Sequence, residues 1–187
     1  MLGLSGIIVG GLLVAGLAIM NYMAEEQTQL ASMVYWQMGS LATVLGTELL
    51  AILPVFIICS VLLLSLSWRI NILSFGDVEA RTLGVNLRQV RTIVIICASL
   101  LTASAVSISG TIGWVGLVIP HLSRLMSGSD NTRSLPTTLL VGAIFMLFID
   151  TLARTVSSVE VPLSILTGFV GAPLYALLLY KQRTKLD

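Results

Sequence analysis

The sequence predicts an all-α, polytopic transmembrane fold, and three observations carry that prediction. The 187 residues are 56% hydrophobic and only 10% charged, where soluble domains carry about 25% charged residues. Mean hydropathy is +1.00. Uncharged stretches recur at residues 1–24, 27–47, 49–68, 92–123, 134–149 and 161–180, and roughly 20 apolar residues cross a hydrocarbon core. About six spans plus one interfacial helix are expected, in a single region covering residues 1–187.

The first span is placed near residues 3–24. No basic residue precedes it, and its apolar run exceeds the about 7–15 residues of a signal-peptide core, so a cleaved leader is not expected. Gly3, Gly6, Gly10, Gly11 and Gly16 lie within it; small residues let helix backbones approach in lipid, and they also suit the smooth wall of a conduit. Residues 27–40 begin too polar to span. Leu30, Met33, Val34 and Met38 recur there at helical spacing beside Tyr35 and Trp36, the pattern of a re-entrant or interfacial helix. A second span follows near 48–67.

The uncharged run from Thr92 to Ser123 is too long for one span. Ser107-Ile-Ser-Gly-Thr-Ile-Gly113 supplies a break, giving spans near 92–108 and 113–127, then 135–152 and 163–180. Charge tests the split. With it, Arg69, Arg81, Arg88, Arg91, Arg124, Arg133, Lys181, Arg183 and Lys185 share one side, and Arg154 alone lies opposite, among Glu25, Glu26, Glu48, Asp150 and Glu160. That asymmetry is what the positive-inside rule requires. It makes the basic side, and the C-terminus, cytoplasmic.

One polar island interrupts this pattern. Residues 69–91 hold Asp77, Glu79, Arg81 and Arg88 between apolar runs. Gly76 and Gly84 bracket a short helix expected from Asp77 to Leu83, with Gly84 as its C-terminal stop and Asp77 suited to capping its start. Val78, Ala80 and Leu83 would offer small apolar contacts. The residues alone admit two readings: a solvated loop that satisfies topology, or a surface presented to a soluble partner.

Several kinds of chemistry have no residues to carry them. The sequence lacks a Gly-x-x-x-x-Gly-Lys-Ser/Thr loop for phosphates, so no ATPase activity is expected in this chain. No charged residue falls clearly at the centre of a span, where coupled carriers place one. His121, the single histidine, has no cysteine or carboxylate neighbours in sequence and is expected to bond backbone freed by Pro120. Cys59 and Cys97 lie far apart inside apolar runs and read as small buried hydrophobes without disulfide or metal. An intramembrane enzyme would have to use Ser107, Ser109 and His121, which nothing in the sequence orients. No cofactor or metal is expected, and a net charge of +1 gives no reason to expect nucleic acid.

At several points the chain resembles the permeases of ABC importers for iron–siderophore, haem and vitamin B12, the FecCD-type family. The island Ser74-Phe-Gly-Asp-Val-Glu-Ala-Arg-Thr-Leu-Gly-Val-Asn-Leu87 is similar to that family's cytoplasmic coupling segment. Gly110-Thr-Ile-Gly-Trp-Val-Gly-Leu-Val-Ile-Pro-His-Leu-Ser-Arg124 resembles its most recognisable motif. Tyr35-Trp-Gln-Met-Gly-Ser40, Gly142-Ala143, Asp150-Thr-Leu-Ala-Arg154, Glu160-Val-Pro162 and Thr167-Gly-Phe-Val-Gly-Ala-Pro173 follow in the family's order. Val161 stands where leucine is commoner. The family's permeases have ten spans, and this chain begins at what resembles the fifth.

That resemblance implies a permease subunit working as a dimer with two ATP-binding cassette ATPase subunits in the bacterial inner membrane, fed by a substrate-binding protein. Iron–siderophore is its expected cargo, with haem and cobalamin open. Gly76, Asp77, Val78, Glu79, Ala80, Arg81, Leu83 and Gly84 would couple to the ATPase. Arg154 would dock the binding protein, oriented by Asp150; an ordinary i,i+4 pair between the two is the alternative. Pro120, Pro162 and Pro173 are expected to break or start helices, and Gly113, Gly116, Gly168 and Gly171 to let neighbouring backbones close in. A truncated remnant that does not transport, or a membrane scaffold, is the competing reading.

Overall fold

The structure, a computed structural model, describes residues 2–26, 28–42, 44–157 and 160–183. Among the described residues it is helical, with connections but no strand. Two units are distinguished. The first, residues 1–37, holds α1 (Leu2–Met23) and α2 (Gln29–Gln37). α1 is apolar nearly all round, as a helix facing lipid or other helices must be. Gln37 Nε2 donates to Asn21 Oδ1 at 3.1 Å and ties the end of α2 to α1.

The second unit begins at Met38. It holds α3 (Gly46–Ser65), α4 (Ser67–Leu73), α5 (Asp77–Thr82), α6 (Leu87–Ser109), α7 (Val115–Ser127), α8 (Asn131–Thr155) and α9 (Leu163–Arg183). α3 pairs with α6, and α7 packs on both α8 and α9. Ile149, Ala153 and Leu163 are wholly buried where α8 meets α9, with Leu41, Ile112 and Phe145 packed round them.

Each expected span lies in a helix, the shorter one expected near residues 113–127 in α7. Among the described residues five helices have the length and hydropathy to cross a membrane: residues 3–23, 46–65, 87–109, 131–155 and 163–180. α7 has 13 residues, about 20 Å at 1.5 Å per residue, which falls short of the roughly 30 Å hydrocarbon core. Residues 110–114, between α6 and α7, are non-helical. The return itself stands. Ser109 O accepts from Ser40 N at 3.0 Å at one end, whereas Asn131 N and Nδ2 donate to Asn71 Oδ1, each at 3.3 Å, at the other.

The break falls where the glycines lie. Gly110 ends α6 at φ 69°, a left-handed conformation that L side chains rarely adopt, and its N–H donates to Val106 O at 2.9 Å. Local caps set the other boundaries. Asn86 Oδ1 accepts from Gln89 N at 3.2 Å to start α6, and Asp130 Oδ1 accepts from Thr132 N at 2.9 Å to start α8.

The prolines behave differently from expectation. Only Pro162 precedes a helix. Pro120 lies inside α7 and Pro173 inside α9, as Pro54 does in α3 and Pro136 in α8. Each removes one backbone donor without ending its helix, which packed membrane helices tolerate.

Candidate docking surfaces at the two ends

The island folds on a core of its own. Ile72 from α4, Ala80 from α5 and Leu87 from α6 are buried together, with Leu73 and Val85 against them. Gly76 sits at the N-cap of α5 with φ 116° and ψ 165°, a region that only glycine enters readily. A Cβ there would lie 2.8 Å from Glu79 Oε2. Its carbonyl accepts the first helical bond, from Ala80 N at 3.1 Å.

At the far end Gly84 takes φ 75°. Its N–H donates to Arg81 O at 3.0 Å, and Val85 N donates to Ala80 O at 3.1 Å. Those two bonds are a Schellman motif, with Val85 packing back on the helix it ends. The stop expected at Gly84 is therefore in place. Asp77 is the first helical residue and Gly76 occupies the N-cap, so the helix does not begin on an aspartate cap. The Asp77 side chain itself lies outside what is described.

Two corrections follow for the surface of the island. Ala80 is 0% exposed, so it cannot touch a partner; it fills the space between α4 and α6. Phe75, absent from the sequence expectations, is 66% exposed beside Val78 at 72% and Leu83 at 62%. Glu79 and Arg81 are exposed on the same short helix. The island thus presents three large apolar side chains and two opposite charges on a turn whose backbone is pinned from beneath. The signal for Phe75 was available: an aromatic side chain immediately before the glycine that opens the helix.

At the opposite end, Arg154 Nε donates to Asp150 Oδ2 at 2.9 Å and Nη2 to Asp150 Oδ1 at 3.2 Å. This is the i,i+4 pair expected as the alternative, in bidentate form. Close by, a polar clasp closes the bundle. Leu163 N donates to Gly39 O at 2.9 Å, Ser164 N to Met38 O at 3.0 Å and Val161 N to Ala153 O at 3.3 Å. Ser40 Oγ donates to Glu160 Oε2 at 3.2 Å, while Glu160 Oε1 is buried without a hydrogen-bond partner. Gly39 permits this: at φ 77°, an added Cβ would meet Ser109 O at 3.0 Å and Thr111 O at 3.1 Å.

The central motif is a packing joint. Trp114 holds φ 67° at the start of α7, and its ring lies over α9. A Cβ on Gly171 would be 2.8 Å from Trp114 Cβ, and one on Gly168 would be 3.9 Å from Trp114 Nε1. Gly113 and Gly116 do not share that role, since a Cβ on either meets nothing within 4 Å. His121 lies edge-on to Tyr175, with ring centroids 6.0 Å apart. Its Nε2 is buried and unpartnered, so this nitrogen does not bond the backbone near Pro120 as expected. Ser107 Oγ donates to Ser104 O at 2.9 Å and Ser109 Oγ to Ala105 O at 2.8 Å. Both hydroxyl protons are therefore held by the serines' own helix and not by a base. Lys185 lies outside the described residues.

Comparison with known proteins agrees with this geometry. Residues 1–181 match the model of the FecCD transport family, and the chain belongs to that family. It is 48% identical over 181 residues to the molybdate import system permease protein MolB of Haemophilus influenzae, covering 97% of this chain and 54% of that protein. It is 38% identical over 181 residues to the hemin transport system permease protein HmuU of Yersinia pestis, covering 96% of this chain and 54% of that one. A solved metal-chelate type ABC transporter in an inward-facing conformation superimposes with a TM-score of 0.92 at 47% identity, over 95% of this chain and 58% of that chain. The chain spans about half the length of the relatives it matches.

Proposed function

We propose that these residues form the C-terminal half of the permease in an ATP-driven importer, with the island as the part gripped by an ATPase subunit. The observation that carries this reading is the island itself: Phe75, Val78 and Leu83 stand exposed on a turn rooted in two apolar helices. A surface of that kind, small, apolar and rigidly backed, fits a groove on a soluble partner. This chain would do no covalent chemistry. Closure of the two ATPase subunits on ATP would pull the islands of two permease subunits together and change which side the conduit opens to.

Arg154 serves the other face, where an acidic side chain of a substrate-binding protein competes with Asp150 for the guanidinium. The basic end, with the C-terminus, is cytoplasmic, and the membrane is the bacterial inner membrane. The cargo is a metal oxyanion or metal chelate. Iron–siderophore is the expectation from the motifs, but identity to the molybdate permease, at 48%, exceeds that to the hemin permease, at 38%. Molybdate is therefore the first cargo to offer.

Uptake of labelled molybdate and of a labelled ferric siderophore into vesicles holding the complete importer tests the assignment. Replacing Glu79 and Arg81 together with alanine is expected to leave ATP hydrolysis running while uptake falls at least tenfold. Both side chains are exposed, so folding should be unaffected. Uptake at the wild-type rate in that variant would remove the coupling role from the island.

A further inference from the structure

Within the second unit, a groove lies open beside the seam of α3 and α6. Leu49, Leu53 and Phe56 follow one another along one side of α3, at spacings of four and three residues that stack side chains on a helix. All three are exposed. With Leu101 and Ala105 of α6 and Met146 of α8 they line a cavity of about 780 Å³. Phe56 stands midway along α3 and Met146 well inside α8, and both helices have the length and hydropathy of spans. The groove is therefore open at membrane depth.

The chemistry of the wall decides what can fill it. Water needs two to four polar partners, and the wall is almost wholly hydrocarbon. Two of its hydroxyls already donate within their own helices, Thr138 Oγ1 to Ser134 O at 2.7 Å and Ser109 Oγ to Ala105 O at 2.8 Å. Lipid is also a poor filling, because Gly110 and Ile112 of the non-helical stretch 110–114 form part of the wall. Non-helical backbone at membrane depth is covered by protein or water, not by acyl chains. A second copy related by a two-fold axis would need a self-complementary patch, which a concavity is not. A helix fits by size: a cylinder about 10 Å across and two turns long occupies about 800 Å³.

We propose that this groove seats one apolar transmembrane helix from the remaining half of the permease, packed against α3 and α6. The proposal rests on the reading of this chain as half of such a permease. The chain spans about half the length of its relatives, and spanning helices of the other half must pack against this one. Leu53 and Phe56 would interlock with the incoming side chains, and Ala105, being small, would let its backbone come close. Opposite Thr138 and Ser109 the seated face needs no polar side chain, since both hydroxyl protons are already held.

Photo-cross-linking in the complete importer tests it, with the two halves of the permease supplied as separately tagged polypeptides in membranes carrying radiolabelled acyl chains. The probe is Phe56→p-benzoylphenylalanine. Co-purification of the halves checks the underlying reading; if they do not associate, that reading and this proposal fall together. If they do, irradiation should give a band at the summed mass of the two halves. The variant Ala105→Trp, which fills the groove, should lower recovery of the other half at least fivefold. Associated halves with no adduct would overturn the proposal alone. So would an adduct carrying labelled lipid, a dimer of this chain, or an internal adduct that peptide mapping places on α1.

Discussion

Ala80 decides what the island can offer a partner. With 0% exposure between Ile72 and Leu87, it leaves room for nothing larger. Ala80→Leu should overpack the site at a cost of about 1–3 kcal/mol and loosen the turn. Trypsin cleavage after Arg81 would then be faster than in the wild type, with overall helix content unchanged; equal cleavage rates would show that the cluster is not a core. Arg154 is the corresponding residue at the other end. Arg154→Glu puts two like charges at i,i+4 on α8 and removes the cation offered to a binding protein. Docking is expected to weaken by roughly fivefold, about 1 kcal/mol, and to lose its salt sensitivity. Affinity that still falls with salt as in the wild type would contradict the role. Gly171, unlike Gly113 and Gly116, is fixed by a neighbour, because Trp114 occupies the place of its missing side chain.

The elements show which features were legible in the sequence. Gly84 ends α5 and Gly110 ends α6 as expected, because a left-handed stop is a local property that needs only the glycine and its own helix. The caps are equally local. Asp130 accepts from the backbone and the side chain of Thr132, and those bonds hold its carboxyl below the ordinary value, which is about 3.9. A carboxylate depressed on folding contributes stability above its unfolded pKa and loses that contribution as pH falls through its folded one. Asp130→Asn should therefore remove part of the acid destabilisation of α8, measured by thermal unfolding from pH 6 down to pH 2; an identical pH profile would assign no cap energy to the charge. Other features were not local. Burial of Ala80 requires α4 and α6, whose approach a six-residue helix cannot announce through any periodicity. The length of α7 depends on how far residues 110–114 stay unwound, and that is set by Ile112 entering the core of α8 and α9.

At the scale of the whole molecule, charge gave the topology and packing fixed its ends. Nine basic residues segregated to one side predict that α4, α5 and the start of α8 share an end, and the bonds from Asn131 to Asn71 join them there. Composition alone could separate apolar runs from the island, but not decide whether the island is a loose loop or a rooted surface. The buried cluster beneath α5 decides that. The central claim is that this rooted surface is where an ATP-binding subunit holds the permease. Its most direct test is the affinity between the ATPase subunit and the complete permease, measured in detergent with and without Phe75→Asp and Val78→Asp. Both side chains are largely exposed, so the variants should fold, and each should weaken binding about tenfold or more, some 1.4 kcal/mol. Affinity unchanged in the double variant would contradict the claim.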